Sequence, residues 1–240
     1  MLTCDLHTHS LFSDCGNHTI LELLEWSCKK GIKGLAITDH GPKLFGRKIS
    51  STFFERLKNP YENKIKFFKG IEGNLLKDEG KTDIPRKFLK HMDIVLLGFH
   101  FIIPKNLGAD YYTDLLIKAM NENRFVDIIT HPIDHKYPIH YEPVIETAKK
   151  TGMALEINNS KLELKIVTTK QQKDFLELCK AGGCRIAVNS DAHAINELGD
   201  DKHVRPLLEE VNYPKELIVN HDLESAMHFI EERRKFKLKA

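Results

Sequence analysis

Short apolar runs alternate along this chain with longer segments whose apolar residues recur every three to four positions, the pattern of repeated βα units. Seven runs read as strands, at residues 2–6, 34–37, 66–71, 93–98, 126–130, 153–157 and 185–189. The segments between them read as helices. Within 19–30, Ile20, Leu23, Leu24 and Cys28 share one face, as do Tyr112, Leu115, Leu116, Ala119 and Met120 within 111–122, a spacing that fits a helix and not a strand. Further helices are expected over 141–150, 169–181, 203–211 and 222–234, the last with an inward stripe of Leu223, Ala226, Met227 and Ile230. Thr19 with Glu22 three residues on is a capping-box signature, and Gly31 and Gly182 stand where helices should stop. Residues 41–63 carry weaker signals and are expected to cross the mouth of the fold, with a short helix at 51–58. The prediction is an α/β barrel of parallel strands in one domain, residues 1–240.

The polar residues that end these runs are not a random sample. They are His7 and His9, His40, Glu72, His100, His131, then Asp191 with His193. A parallel barrel gathers the C-terminal ends of its strands into one bowl, so these side chains would converge. In extended chain, i and i+2 point the same way, which lets His7 and His9 reach one ion; Asp191 and His193 repeat that spacing. Each residue alone is as well explained as a polar strand end meeting solvent. Jointly, imidazole and carboxylate displace the Ser, Asn, Lys and Thr that chance would supply. This donor set suits zinc, manganese or iron, and cysteine is absent from these positions, which argues against a purely structural thiolate site. Neither a zinc-finger nor an HExxH pattern is present, so the site must be assembled from distant strands. His91, His203, His221 and His228 lie on or beside helices and read as surface or half-buried groups. Ser190, Asp191 and His193 are too close in sequence to form a catalytic triad.

Composition narrows the class without choosing it. With 41% hydrophobic and 29% charged residues the chain reads as an ordinary globular protein, and a net charge of +2 favours no partner. The N-terminal residues lack a basic region leading into an apolar core, and no apolar run approaches the ~20 residues of a membrane span, so a cytoplasmic protein without membrane contact is expected. Cys4, Cys15, Cys28, Cys179 and Cys184 are odd in number and form no CxxC, which points to reduced thiols.

Seven segments in order carry a resemblance: Asp5-Leu6-His7-Thr8-His9-Ser10, Ile37-Thr38-Asp39-His40-Gly41-Pro42, Gly70-Ile71-Glu72, Gly98-Phe99-His100, His131-Pro132, Glu156-Ile157-Asn158-Asn159-Ser160 and Ser190-Asp191-Ala192-His193. Together they resemble the motifs of the PHP family, the polymerase and histidinol phosphatase domain, and more narrowly its stand-alone bacterial phosphatase-like subgroup. The resemblance implies a distorted (β/α)7 TIM-like barrel holding three zinc ions, with manganese or iron suiting some positions. It puts His7, His9, Glu72 and Asp191 around a first ion, and has Glu72 bridge to a second held by His100 and His131. A third ion would take His40 and His193. The subgroup usually has a histidine where this chain has Cys15, and other PHP proteins use an aspartate at the place of Asp14. The expected remaining ligand is Asp14 or His18, although Asp14 could instead initiate the turn toward Gly16 and His18 could simply precede the Thr19 cap.

The implied reaction is hydrolysis of a phosphomonoester on a small substrate, with Glu72 as the catalytic bridge and water activated between two ions ~3.5–4 Å apart. Lys136, or Arg47 from the excursion, would add positive charge to the phosphate, each with a solvated loop cation as its alternative. His135, or water on the third ion, could protonate the leaving group. Asp39 reads as a carboxylate that accepts a hydrogen bond from a ligand imidazole. An amidohydrolase barrel also begins with His-x-His, but would normally show a lysine or glutamate after the fourth strand, where His100 stands. A nuclease is disfavoured because no clustered basic and aromatic groove is readable, and the cations of 233–239 suit a helix C-terminus or a solvated tail. A barrel using metal only for stability should have lost ligands that this chain keeps.

Overall fold

The computed structural model describes residues 1–45, 50–77 and 80–240. Among them seven strands run in parallel and in chain order around a nearly closed barrel: β1 (Cys4–Asp5), β2 (Gly34–Ile37), β3 (Lys66–Asn74), β4 (Ile94–Gly98), β5 (Ile128–Ile129), β6 (Ala154–Asn158) and β7 (Ile186–Asn189). The helices are α1 (Ile20–Lys30), α2 (Ser51–Arg56), α3 (Ala109–Glu122), α4 (Tyr141–Thr151), α5 (Asn159–Glu163), α6 (Thr169–Gly182), α7 (Arg205–Glu210) and α8 (Leu223–Leu238). Short 3-10 turns lie at Leu11–Ser13, Arg86–His91 and Lys215–Leu217.

Local chemistry explains most boundaries. Thr19 and Glu22 form the expected reciprocal capping box of α1, and Gly31 ends that helix at φ 78. Helix α6 has a second capping box, Thr168 with Gln171, and runs through Gly182 to stop at Gly183, one residue later than expected. β1 and β5 are shorter than their apolar runs at both ends, although backbone hydrogen bonds continue beyond β5 from Asp127 N to the Val95 carbonyl and from Thr130 N to the Leu97 carbonyl. The expected helix at 203–211 narrows to α7. The 3-10 turn Arg86–His91 and helix α5 have no counterpart in the expected element list.

The strand interiors read by parity. Cys4, Leu6, Ala36, Phe68, Ile94, Leu96, Ile128, Ala154 and Ala187 pack into one cluster with Val219, Ala226, Phe229 and Ile230, so α8 seals the bottom of the barrel. Two residues further along the same faces come Gly70 then Glu72, Gly98 then His100, Thr130, Glu156 then Asn158, and Asn189 then Asp191. Each strand therefore presents carbon below and polar groups above, as its alternation requires. A second, larger cluster fills the space between the barrel and helices α3, α4 and α6.

Between β1 and β7 side chains do much of the joining. Leu6 N–H donates to Asn189 Oδ1 at 3.0 Å, Asn220 Nδ2 donates to the Cys4 carbonyl at 3.0 Å and to the Val188 carbonyl at 2.7 Å, and a bridge pairs Thr8 with Ala192. Buried Asp5 completes the seam by accepting from Ser190 and Gly199.

The tail behaves differently from the expected solvated cations. Arg233 and Lys237 are buried, with Arg233 Nε 3.3 Å from Asp127 Oδ1 and Lys237 Nζ 2.7 Å from Asp127 Oδ2. The Arg233 guanidinium also donates to the carbonyls of Thr151, Arg124 and Val126. Met227, expected inward, is 45% exposed, and Phe229 takes the buried place.

Candidate metal centre

All eight strand-end residues predicted from the sequence meet at the barrel mouth around one carboxylate. Glu72 is fully buried near the end of β3 and presents its two oxygens to different imidazoles. Oε1 lies 3.0 Å from His131 Nε2 and 3.2 Å from His100 Nε2, and accepts the Thr130 hydroxyl at 2.9 Å. Oε2 lies 3.4 Å from His7 Nε2, 3.5 Å from His9 Nε2 and 2.8 Å from His40 Nδ1. Oε2 thus meets these rings as an ion-pair partner and makes no hydrogen bond of regular geometry. Asp191 Oδ1 closes the other side, 3.5 Å from His7 Nε2 and 3.3 Å from His9 Nε2. His193 stacks on His9 at 4.6 Å between ring centroids.

The backbone is bent to achieve this. His131 at φ 30 and Asp191 at φ 56 both occupy the left-handed region, an uncommon conformation that non-glycine residues hold where the surroundings fix it. Gly98 leaves space for the same purpose, because a side chain there would collide with the Thr130 hydroxyl and crowd the His131 ring.

Buried imidazoles packed this tightly cannot all be neutral and unbridged. His7 Nδ1 faces Glu156 Oε1 at 2.7 Å, so it carries the ring proton and leaves the Nε2 lone pair of the neutral ring pointing into the site. That atom lies 3.1 Å from His9 Nε2, a separation that needs a proton or a cation between the two nitrogens. In the protein alone, protons take that part. Burial opposes charge on His7, but Glu156, Asp191 and Glu72 outweigh it and raise its pKa well above the ordinary value. Burial likewise opposes charge on His40, yet Glu72 raises it to about 9. For His9 burial prevails, reinforced by the charge on His40, and its pKa falls well below normal; for His100 burial outweighs Glu72 and brings it to about 4. Burial alone would raise the Glu72 carboxyl, but His7, His100 and His40 hold it well below the usual range. The donor set thus asks for positive charge at its centre. Among the described residues, three groups bring ligand atoms within 4.8 Å of one another: His7, His9 and Glu72; His40, Glu72 and His100; and His9, Cys15 and His193. Histidine and carboxylate donors around a buried anionic oxygen fit divalent transition metals.

The third group differs from the expected set of donors. Asp14 is exposed, in the left-handed conformation at φ 60 that closes the 3-10 turn, and neither it nor His18 belongs to the converging groups. Cys15 does. Burial would raise its thiol, but hydrogen bonds with His193, His40 and Ser13 lower it to about 6.

Other expectations shift as well. Asp39 accepts from the Ser10 N–H and hydroxyl, each at 2.7 Å, bracing the His9–Ser10 turn. The carboxylate that takes an imidazole N–H is Glu156, which also accepts from His131 N at 2.7 Å, Asn189 Nδ2 at 2.8 Å and Asn158 Nδ2 at 2.9 Å. Lys136 is exposed on the loop after β5, and His135 beside it is exposed with Nδ1 on the Ile166 carbonyl at 2.8 Å. Arg47 lies outside the described residues. The cation that touches the site is Lys161 of α5, its Nζ 3.2 Å from Asp191 Oδ2. Burial works against its charge, but Asp191, Glu72 and Glu156 raise its pKa. Its signal was its place directly after the β6 motif, where Asn158 caps α5 by accepting from Lys161 N. Lys161 and His193 both line a cleft of about 550 Å³ that also includes Ser160, Asn196 and Lys202.

A seven-stranded parallel barrel whose mouth concentrates imidazoles around a shared carboxylate defines a class of α/β proteins built to hold metal. Comparison with known proteins makes this specific: the family model of the PHP domain matches residues 5–148, and the chain belongs to the PHP family. It is similar to a probable phosphatase of Caldanaerobacter subterraneus subsp. tengcongensis, 35% identical over 242 residues that cover 98% of this chain and 93% of that one. Among solved structures it resembles a histidinol phosphate phosphatase from Lactococcus lactis complexed with zinc, L-histidinol and phosphate, with TM-score 0.59, 18% identity and coverage of 88% and 94%. It also resembles a chain of an archaeal ribonuclease P with mature tRNA, with TM-score 0.65, 16% identity and coverage of 96% and 91%, a likeness of fold.

Proposed function

We propose that this protein is a metal-dependent phosphatase that hydrolyses a phosphomonoester of a small molecule. The observation that carries this reading is Glu72, each of whose oxygens faces a separate set of imidazoles. In this account His7, His9, Asp191 and one Glu72 oxygen would hold a first ion, and His100, His131 and the other Glu72 oxygen a second. His40 and His193 would serve a third. Zinc suits this donor set best, with manganese or iron acceptable where oxygen donors dominate. Bound ions would supply positive charge to the phosphoryl oxygens and acidity to an attacking water.

The chain's own groups do the rest. Glu156 holds the His7 proton on Nδ1 and pins the His131 backbone, so both rings keep one orientation. Lys161, kept protonated by the surrounding carboxylates, is the fixed cation for a phosphate entering from the cleft, the role expected of Lys136. That cleft accommodates a small molecule, and the relatives named probable phosphatases support a hydrolase of this kind. Burial of Arg233 and Lys237 on Asp127 removes two cations from the tail that a nucleic-acid reading would use. Five free cysteines fit a reducing compartment, the cytoplasm.

A panel of phosphomonoesters, histidinol phosphate and nucleotides included, assayed beside phosphodiesters and single-stranded DNA, tests the proposal. Monoesters should be preferred, and Lys161→Met should cut kcat/KM by about 10²–10³-fold. Preferential cleavage of diesters or DNA, or an unaffected Lys161→Met, would contradict it.

A further inference from the structure

We infer that Cys15 supplies a thiolate ligand to a metal ion held with His193 and bordered by His9 and His40, making this position selective for a thiophilic divalent ion. The inference deepens the metal-dependent reading above and rests on it. His9, Cys15 and His193 place ligand atoms within 4.8 Å of one another, and Cys15 is also in hydrogen-bonding contact with His40. The rings around it are close, His9 stacked on His193 at 4.6 Å and tilted against His40 at 4.5 Å between centroids. Independently, the buried Glu72 Oε2 makes no hydrogen bond of regular geometry and lies 2.8 Å from His40 Nδ1 and 3.5 Å from His9 Nε2, so an anionic oxygen faces the same rings.

The loop is shaped to deliver the sulfur there. Ser13 Oγ, 2.9 Å from His9 Nδ1, also accepts the His40 backbone N–H at 3.0 Å, tying the loop start to the His9 ring and the His40 main chain. Asp14 then turns the chain back at φ 60. Gly16 packs so closely on the Ser10 and His9 carbonyls that any side chain would collide with them. Asn17 N–H donates to the His193 carbonyl at 2.8 Å, which clamps the far end. Cys15 is therefore suspended between anchors on all three neighbouring histidines. Thiolate donors favour zinc and its soft relatives over magnesium or manganese, whereas the carboxylate-rich positions around Glu72 and Asp191 do not discriminate as strongly.

Cobalt(II) substitution of the full-length protein reads the ligand directly, because thiolate bound to cobalt gives an intense near-ultraviolet charge-transfer band that imidazole and carboxylate do not. Wild type loaded with cobalt should show that band. Cys15→Ser should lose it together with about one metal equivalent, and Cys15→His should restore the metal equivalent without the band. Absence of the band from cobalt-loaded wild type, or its persistence in Cys15→Ser, overturns the assignment. Phosphatase activity is scored separately: a band without hydrolysis sinks the proposed reaction and keeps Cys15 as ligand, whereas hydrolysis without a band does the reverse.

Discussion

Glu156 is a fully buried carboxylate whose four partners come from β1, β5, β6 and β7 or the residues that follow them, so one side chain aligns most of the mouth. Its effect on metal runs through His7, whose lone pair it directs inward. Glu156→Gln keeps the shape but removes the negative charge and one of the two acceptor oxygens that hold the His7 and His131 donors, and should weaken metal affinity about 10–100-fold while leaving the far-ultraviolet circular dichroism unchanged. Equal metal affinity in a competition titration would show that Glu156 is only a strut. Proton linkage gives a second residue-scale test. His40 titrates at 6.5 when unfolded and about 9 in the folded protein without an ion, so its pairing with Glu72 supports folding fully below pH 6.5 and that support is lost as pH rises through 9. At pH 7.5 the ring is protonated, and an ion must displace that proton. Titration calorimetry in buffers of different ionisation enthalpy should therefore report proton release on metal uptake; heats independent of the buffer would contradict the assignment. The principal histidines and carboxylates were legible because they end apolar runs. Glu156 and Lys161 were quieter: Glu156 sits inside a strand-like run, and Lys161 follows one on a helix too short to show a period. Cys15 stands where the resembled subgroup has a histidine, yet a cysteine outside any CxxC reads as a reduced thiol, and the nearby Asp14 and His18 offered more familiar donors.

Elements were easier to place than their ends. All seven strands fall within or extend from the expected runs, since an apolar run bounded by turn residues marks a buried parallel strand. β1 and β5 are two-residue strands inside five-residue apolar runs, because burial extends along the chain further than regular pairing does, which composition does not encode. Helix α8 shows a different limit. Its inward stripe runs Ala226, Phe229, Ile230, Arg233 and Lys237, and the last two look solvated until Asp127, more than a hundred residues earlier, is brought beneath them. Asp127→Asn leaves two buried cations facing an amide and should cost about 3–5 kcal/mol in urea unfolding. A change within experimental error would mean that the backbone carbonyls around Arg233 suffice without the ion pairs.

At the scale of the whole molecule, the barrel separates two tasks along its axis. Apolar residues and α8 close the bottom, while the mouth above them turns polar and collects donors from sites as distant in sequence as His7 and His193. Stability and metal binding are therefore coupled, for the cluster concentrates buried charge that ions would balance. The central claim is that bound metal, centred on Glu72, carries phosphomonoester hydrolysis. Its most direct measurement is turnover of a monoester by protein stripped with a chelator and then reloaded with counted equivalents of zinc, alongside Glu72→Gln treated the same way. Activity should vanish on stripping, return as two or more equivalents bind to the wild type, and fail to return in the variant. Full turnover by the stripped protein, or by Glu72→Gln, would contradict the account.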